Sequence, residues 1–590
     1  MYNLADTHPT PQFARPRWHD LTGEWQFAFD PEDVGRDAHW ESHSAAFDRI
    51  IIVPFPPEST ASGIGDPNPH RVVWYRRVVD LDVLPREHGE RLLLRFGAVD
   101  YRADVWVNGA HVAFNEGGHT PFHADITQPL ANQDVADIVV RAEDNPHDLG
   151  QPRGKQDWQT PSHGIWYRRT TGIWQPVWLE ATGRHRISDL HWQPDADSLT
   201  VDAATSITPA SSLPLTLHVE LALNGDTLAD DRYTFSGDRH TARWQLGAPG
   251  NPETRRTLIW SQEHPNLIEA KLSLLDGEQV LDRIYSYTGL RSVAVDANGL
   301  VLNRFPVYLR MVLEQGFWPE SHLAAPSAEA IRREVELIRD LGFNAARIHQ
   351  KIEDPRFLSW CDRLGVLVWG EMANAFTWNE TAVTRMTREW TDAVLRDRNH
   401  PSVVAWVPIN ESWGVPALPV DARQRHWQEA HWHLTHALDG TRPVISNDGW
   451  EHTTSDILTI HDYTESGDEI REKYGADGIG TMLERNRPNR RVLQLEPGAN
   501  VGRPVMITEY GGISYAPDAG ERWYGYGTVT SEADYIDKVR ELTEAVRACP
   551  DVTGFCYTQL TDTEQETNGL LTADREPKLP VESLREIFGQ

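Results

Sequence analysis

Cysteine is nearly absent: Cys361, Cys549 and Cys556 are the three in a chain of 590 residues. Three scattered thiols exclude a disulfide-stapled scaffold, and their spacing excludes a cysteine-rich zinc cluster. A reducing, cytoplasmic setting is the expectation that follows. Long hydrophobic runs are also missing, with no stretch of 18 or more apolar residues, so no membrane-spanning helix and no membrane partner are expected. The opening MYNLADTHPTPQFARPRW has no basic segment leading into an apolar one, so no secretory signal is expected. Basic charge is in deficit, 56 Lys and Arg against 87 Asp and Glu, for a net charge of −31. Such a field repels phosphate, so nucleic acid is not an expected partner. No GxGxxG or GxxxxGK[ST] turn follows a strand, and the 25 histidines form no HExxH. No cofactor and no metal are therefore expected.

Tryptophan is plentiful, with 23 residues. Indole rings stack on the apolar C–H faces of sugars, and they also fill β-sandwich cores. The excess points to carbohydrate only as a whole, not at any one position.

Three spans differ in pattern. Over residues 1–182 short strands dominate. RLLLRFGAVDYRADVWVNG alternates apolar and polar positions and ends in Asn108-Gly109, a hairpin signal, and GIWQPVWLEATG closes the span. With the Gly, Pro and Asn punctuation this predicts a β-sandwich of jelly-roll type. Over 183–292 the alternation continues in SLTVDAATSI, PLTLHVELAL and IEAKLSLLDGEQVLDRIYSY. That spacing fits an immunoglobulin-like β-sandwich without the antibody cysteine pair. Over 293–590 helical segments (AEAIRREVELIRDLG, DPRFLSWCDRLG, REWTDAVLRDR) alternate with apolar strands (FNAARI, VLVWGEM, VVAWVPINES). The length and order predict a C-terminal (β/α)8 TIM barrel, typically about 250 residues. A doubly wound sheet would want the missing phosphate turn.

In such a barrel the reacting groups sit at the C-terminal ends of strands. The apolar strands here run out into Arg347 and His349, Glu371, Asn410-Glu411, Asn447-Asp448, His461-Asp462-Tyr463, Glu509, and Gln559. Two glutamates after strongly apolar strands are the sharpest feature. Cleaving a glycosidic bond needs a proton for the leaving oxygen and a carboxylate for the developing oxocarbenium ion. Paired carboxyl groups supply both. The bland alternative is a strand-end Glu paired with Arg.

The motifs around these residues resemble glycoside hydrolase family 2. RDRNHPSVVAW with PINESWG resembles the family's acid/base segment, and MITEYGG its nucleophile segment. YRADVWVNGAHVAFNEGGHTPFHADIT, WSQEHPNLIEAKLSLLDG and GFNAARIHQ resemble, in order, parts of its two sandwiches and its barrel. The resemblance implies a retaining exo-glycosidase. Glu411 would be the general acid/base and Glu509 the nucleophile. Asn410 would bond the sugar 2-hydroxyl, and Tyr463 and Arg347 would orient Glu509. His349, Trp369, Glu371, Trp378, His461, Asp448, Trp450 and Gln559 are further pocket candidates. The partner is then an oligosaccharide or glycoside, and self-association into a homo-oligomer stays open.

Specificity signals depart from the best-known members. Glucuronidases of the family carry Asn-x-Lys near the last strand, where this chain reads TEQETNGLLTADREPK with no basic residue two places after Asn568. Galactosidase landmarks are replaced by IWYRRTTGIW and EQGFWPES. A β-galactosidase-like activity is the first expectation. An exo-furanosidase acting on galactofuranosyl or arabinofuranosyl ends, or a non-catalytic carbohydrate-binding relative, is the alternative.

Overall fold

The structure, a computed structural model, describes residues 7–589 apart from 86, 88, 132, 489, 497 and 516–524. The first span forms two packed antiparallel sheets. One orders its strands Trp18–Asp20, Val177–Thr182, Arg91–Phe96, Phe122–Asp125, and the other has six strands built around Val72–Asp80 and Val135–Glu143. Alternation sets the packing. Val73, Tyr75 and Val79 point into the sandwich core, whereas Val72 and Trp74 meet Trp40, Phe47 and Trp106 on the outer face. Arg102–Val107 and Ala110–Glu116 are joined by Asn108-Gly109. Both turn residues have positive φ, 49° and 76°, as a two-residue type I′ hairpin requires.

The second β-rich span contains two long strands, Thr200–Leu223 and Asp226–Gln245, flanked by Arg186–Asp195, Ile268–Asp276 and Gln279–Thr288. Register shifts between Ser206 and Leu215 break the long ladder. Residues from all five strands, including Trp192, Val219, Trp244, Leu272 and Ile284, close on one core.

A small three-stranded sheet, Val293–Asp296, Gly299–Leu302 and Phe305–Val307, leads into the barrel. Seven barrel strands hydrogen-bond in parallel. In chain order they are Leu309–Glu314, Ala345–Ile348, Leu367–Glu371, Val403–Val407, Leu458–His461, Val505–Gly511 and Val552–Thr558, and the first closes on the last. The remaining place, between the fourth strand and Leu458–His461, is filled by residues 443–448, which make only isolated bridges, Trp406 to Val444 and Asn410 to Asp448. Pro443 has no N–H to give. On the far side, hydroxyls substitute for a ladder: Gly449 N donates to Thr459 Oγ1 at 2.9 Å and Ser446 N to Ser455 Oγ at 3.3 Å.

Strands buried on both faces read as continuous apolar runs. Met311, Leu313, Trp369, Val407, Ile445 and Met506 fill the barrel interior. Val312, Ile348, Val368 and Phe555 face outward onto helical residues such as Val335, Leu358, Trp390 and Leu542. The helices predicted over 328–342 and in the two following segments occupy Ala328–Asp340, Pro355–Leu364 and Glu380–Asp397. Their N-caps Ser327, Asp354 and Asn379 each accept a first-turn N–H, which satisfies donors the helix leaves unpaired.

Candidate active site

Glu411 and Glu509 meet at the C-terminal mouth of the barrel. Glu509 lies within the seventh strand position, and Glu411 lies four residues beyond Val407. Glu411 and Ser412 both adopt positive φ, 50° and 59°. That conformation is costly for residues with a side chain and clusters at functional sites. It is held in place by Glu411 N donating to Asp448 O at 3.0 Å and Ser412 N to Asn447 Oδ1 at 2.9 Å.

Three donors converge on Glu509. Arg347 Nη1 reaches Oε1 at 2.9 Å, Tyr463 Oη reaches Oε2 at 2.6 Å, and His461 Nδ1 stands 3.3 Å from Oε2. They stabilise negative charge on both oxygens. Tyr463 itself is stacked on Tyr526, with centroids 3.4 Å apart.

Glu411 has a different environment. Its Oε1 is 2.7 Å from His461 Nδ1, and its Oε2 has no hydrogen bond among the described residues. Its side chain is 13 % exposed. Burial and the facing Glu509 charge push its carboxyl above the usual range, while His461 pulls it back. His461 also stands 3.3 Å from Asp448 Oδ2. Burial alone would lower the His461 ring, but Glu509, Asp448 and Glu411 outweigh it and raise it to about 10. An imidazolium therefore bridges the two glutamates. The donor atoms of Glu411, His461 and Glu509 all lie within 4.8 Å of one another, close enough to ligate a cation. Each already has a partner in the hydrogen bonds above.

Arg347 is fully buried beneath the pair and organises the rest. It meets Glu371 Oε2 at 2.9 Å through Nε, Asp448 Oδ2 at 2.9 Å, and Asn410 Oδ1 at 2.6 Å. Burial raises Glu371 to about 7, with Arg347 working against that and Asp448 adding to it. Burial also opposes ionisation of Asp448, yet Arg347 and His461 hold it below the ordinary carboxylate range.

Because guanidinium can only donate, Arg347 fixes the direction of a whole chain of bonds. Asn410 must present Oδ1 to Arg347, so its Nδ2 faces His349 Nε2 at 3.2 Å. His349 then donates from Nδ1 to Gln315 Oε1 at 3.0 Å. Gln315 donates to Gln559 Oε1 at 2.6 Å, and Gln559 to Asn568 Oδ1 at 2.8 Å. Burial, Arg347 and Lys155 drive His349 far below its usual value, which favours the neutral ring that this direction of bonds needs. The relay leaves one hydrogen of Asn410 Nδ2 uncommitted.

Of the residues expected from sequence, Glu411, Glu509, Asn410, Tyr463 and His349 line the pocket. Arg347, Glu371, Asp448, His461 and Gln559 are brought together behind it, each hydrogen-bonded to a lining residue. Trp378 is not brought in. It packs edge-on against Trp427, at 5.6 Å, beside Ile409, Val415 and Leu418. Trp369 fills the barrel interior, and Trp450 lies under Arg491, 4.3 Å from its ring centroid. The aromatic residues that do line the pocket include Phe376, Trp413 and Trp166.

Trp166, Lys155 and Glu566 were not legible as site residues. Lys155 and Trp166 come from the first sandwich, between strands Val135–Glu143 and Gly172–Ile173. The approach that places Lys155 turns on Gly154, which has φ +59° and where a Cβ would stand 2.1 Å from Gln350 O. Glycine is what lets the sandwich loop press this closely onto the barrel.

The model for the glycosyl hydrolases family 2 TIM barrel domain matches residues 293–590, and that for the family 2 sugar binding domain matches 18–144. The chain is 26 % identical to a β-galactosidase of Thermoanaerobacter pseudethanolicus over 381 residues, 63 % of this chain and 48 % of that one. It is 26 % identical to the β-glucuronidase of Canis lupus familiaris over 502 residues, 75 % of this chain and 71 % of that one. The chain spans about half the length of several curated relatives it matches. Among solved structures, Bifidobacterium dentium β-glucuronidase complexed with coumarin-3-O-glucuronide superposes with a TM-score of 0.77 at 20 % identity, covering 98 % of this chain and 97 % of that one.

Proposed function

The chain belongs to glycoside hydrolase family 2, and from that premise we propose that it is a retaining exo-glycosidase, β-galactosidase-like, that releases a terminal sugar by double displacement. The observation that carries the reading is the unequal pair. Glu411 and Glu509 present oxygens within 4.8 Å of each other, compatible with the roughly 5–5.5 Å carboxyl spacing of retaining enzymes rather than the wider gap that admits a water. One is loaded with donors and suits a nucleophile. The other is raised and keeps Oε2 unpaired, which suits an acid.

In the first step Glu509 attacks the anomeric carbon while Glu411 Oε2 gives its proton to the departing glycosidic oxygen. The imidazolium of His461 then faces a Glu411 carboxylate and stabilises it. In the second step Glu411 takes a proton from water, the water oxygen bonds to the anomeric carbon, and Glu509 leaves. The spare hydrogen of Asn410 Nδ2 suits the 2-hydroxyl, a contact that strengthens in the transition state.

The test is Glu509→Ala with added azide on an activated aryl glycoside. The variant should lose turnover, and azide should restore it with formation of a glycosyl azide of inverted configuration. Full activity in the variant would remove Glu509 from the nucleophile role.

A further inference from the structure

We infer that Lys155 and Glu566, one from the sandwich and one from the barrel, form a hydroxyl-reading clamp in the pocket wall that selects an uncharged glycosyl unit over a uronate. This rests on the glycosidase reading above and adds the class of sugar that the site accepts.

Both side chains line the same pocket as the two glutamates, and both are anchored from the far side. Gly154 is pressed onto Gln350 O and its N–H donates to Asn374 O at 3.1 Å, which plants the next residue, Lys155, at the barrel mouth. Tyr167 N donates to Lys155 O at 2.9 Å, and the Tyr167 hydroxyl donates to Glu566 Oε2. Glu566 sits in a tight turn in which its backbone and that of Thr563 exchange hydrogen bonds of 2.9 and 3.0 Å. Lys155, Tyr167 and Glu566 therefore form one ring of contacts between the sandwich loop and the barrel.

The ring leaves hydrogen-bonding capacity over. Lys155 Nζ lies 3.8 Å from Glu566 Oε2, an ion pair too long for a hydrogen bond, and its side chain is 13 % exposed. Its three N–H groups have no acceptor among the described residues. Glu566 Oε2 is taken by Tyr167, and Oε1 has no donor among the described residues. Three donors and an acceptor stand together on a pocket wall, which is the complement of a sugar hydroxyl pair. One hydroxyl donates a hydrogen bond to Glu566 while the oxygen of its neighbour accepts from Lys155. A uronate carboxylate in the place of that pair could accept from Lys155 but has no proton for Glu566. It would also bring a negative charge against the Glu566 carboxyl, which already feels the field of Glu509, and like charges disfavour binding.

The experiment compares nitrophenyl β-galactoside, β-glucoside, α-arabinofuranoside and β-glucuronide on the full chain, on Glu566→Gln and on Lys155→Met, with melting temperatures as the folding control. The wild type should show kcat/KM on its best neutral glycoside at least tenfold above that on the glucuronide. Each variant should lose about 10- to 100-fold on the neutral substrate, the range for a hydrogen bond to a charged group, mostly in KM. Glu566→Gln should narrow the neutral-to-glucuronide ratio, because it removes the opposing charge and keeps the shape. A wild type that prefers the glucuronide, or folded variants with the ratio unchanged, overturns the clamp. Where no glycoside turns over, the glycosidase reading fails on its own account, and the clamp is decided by titrating galactose, arabinose and glucuronic acid. Binding of a neutral sugar that weakens in Glu566→Gln upholds it. Binding of glucuronic acid alone, or of none, overturns it.

Discussion

Replacing His461 with Asn tests the electrostatic design of the pair. His461 Nδ1 stands 2.7 Å from Glu411 and 3.3 Å from Glu509, and its ring is raised to about 10, so a cation sits between the glutamates at neutral pH. A hydrogen bond to a charged group contributes about 1.5–3 kcal/mol. A bare Coulomb term at about 3 Å with an effective dielectric near 20 would be about 5 kcal/mol, so the lower figure is conservative. At about 1.4 kcal/mol per pH unit, losing the contact moves the proton of the pair by about 1–2 units. The sign is fixed. His461 favours ionised Glu411, so removing it leaves the acid protonated to higher pH. The alkaline limb of kcat/KM should therefore move up by about 1–2 units, a property of the coupled pair rather than of Glu411 alone. The maximum should fall, most on substrates with poor leaving groups. The assay is kcat/KM from pH 4 to 9.5 on an aryl glycoside series. An alkaline limb that stays put or moves down refutes the bridging imidazolium.

Two further substitutions separate positioning from folding. Tyr463→Phe removes the 2.6 Å bond to Glu509 Oε2 and the 3.2 Å bond to Thr558 Oγ1. It should lower kcat/KM by about 10- to 100-fold with an unchanged melting temperature, and activity within threefold of wild type counts against an orienting role. Arg347→Met leaves Glu371, Asp448 and Glu509 without their shared buried cation. It should destabilise the barrel by about 3–5 kcal/mol, read from its denaturant transition, and stability within about 1 kcal/mol of wild type would show that water or relaxation replaces the cation.

What was readable in the sequence follows from which interactions are local. Glu411 and Glu509 stand directly after apolar strands, and Asn410 and Ser412 flank Glu411 within one motif, so the two glutamates that meet in the pocket could be singled out before any contact was known. The Asn108-Gly109 hairpin and the barrel helices are equally local, set by turn chemistry and by apolar spacing. The segment at 443–448 was read as an ordinary strand, but its place is kept by Pro443 and by serine and threonine hydroxyls, and no periodicity reports that. Phe376 and Trp378 stand two residues apart in one loop; the first lines the pocket and the second packs on Trp427. Without a helical or strand period, nothing in the sequence decides which ring faces the substrate. The relay from Arg347 to Asn568 passes through four chain-distant segments, and its direction comes from one donor-only side chain. Lys155 and Glu566 belong to different domains, and their meeting depends on a glycine that yields to a carbonyl of the barrel. The proposed reacting pair thus lies in contiguous motifs, whereas the proposed sugar-reading contacts lie between the sandwich and the barrel. That division is the physical reason the sequence points to how a bond is cut and leaves the released sugar open.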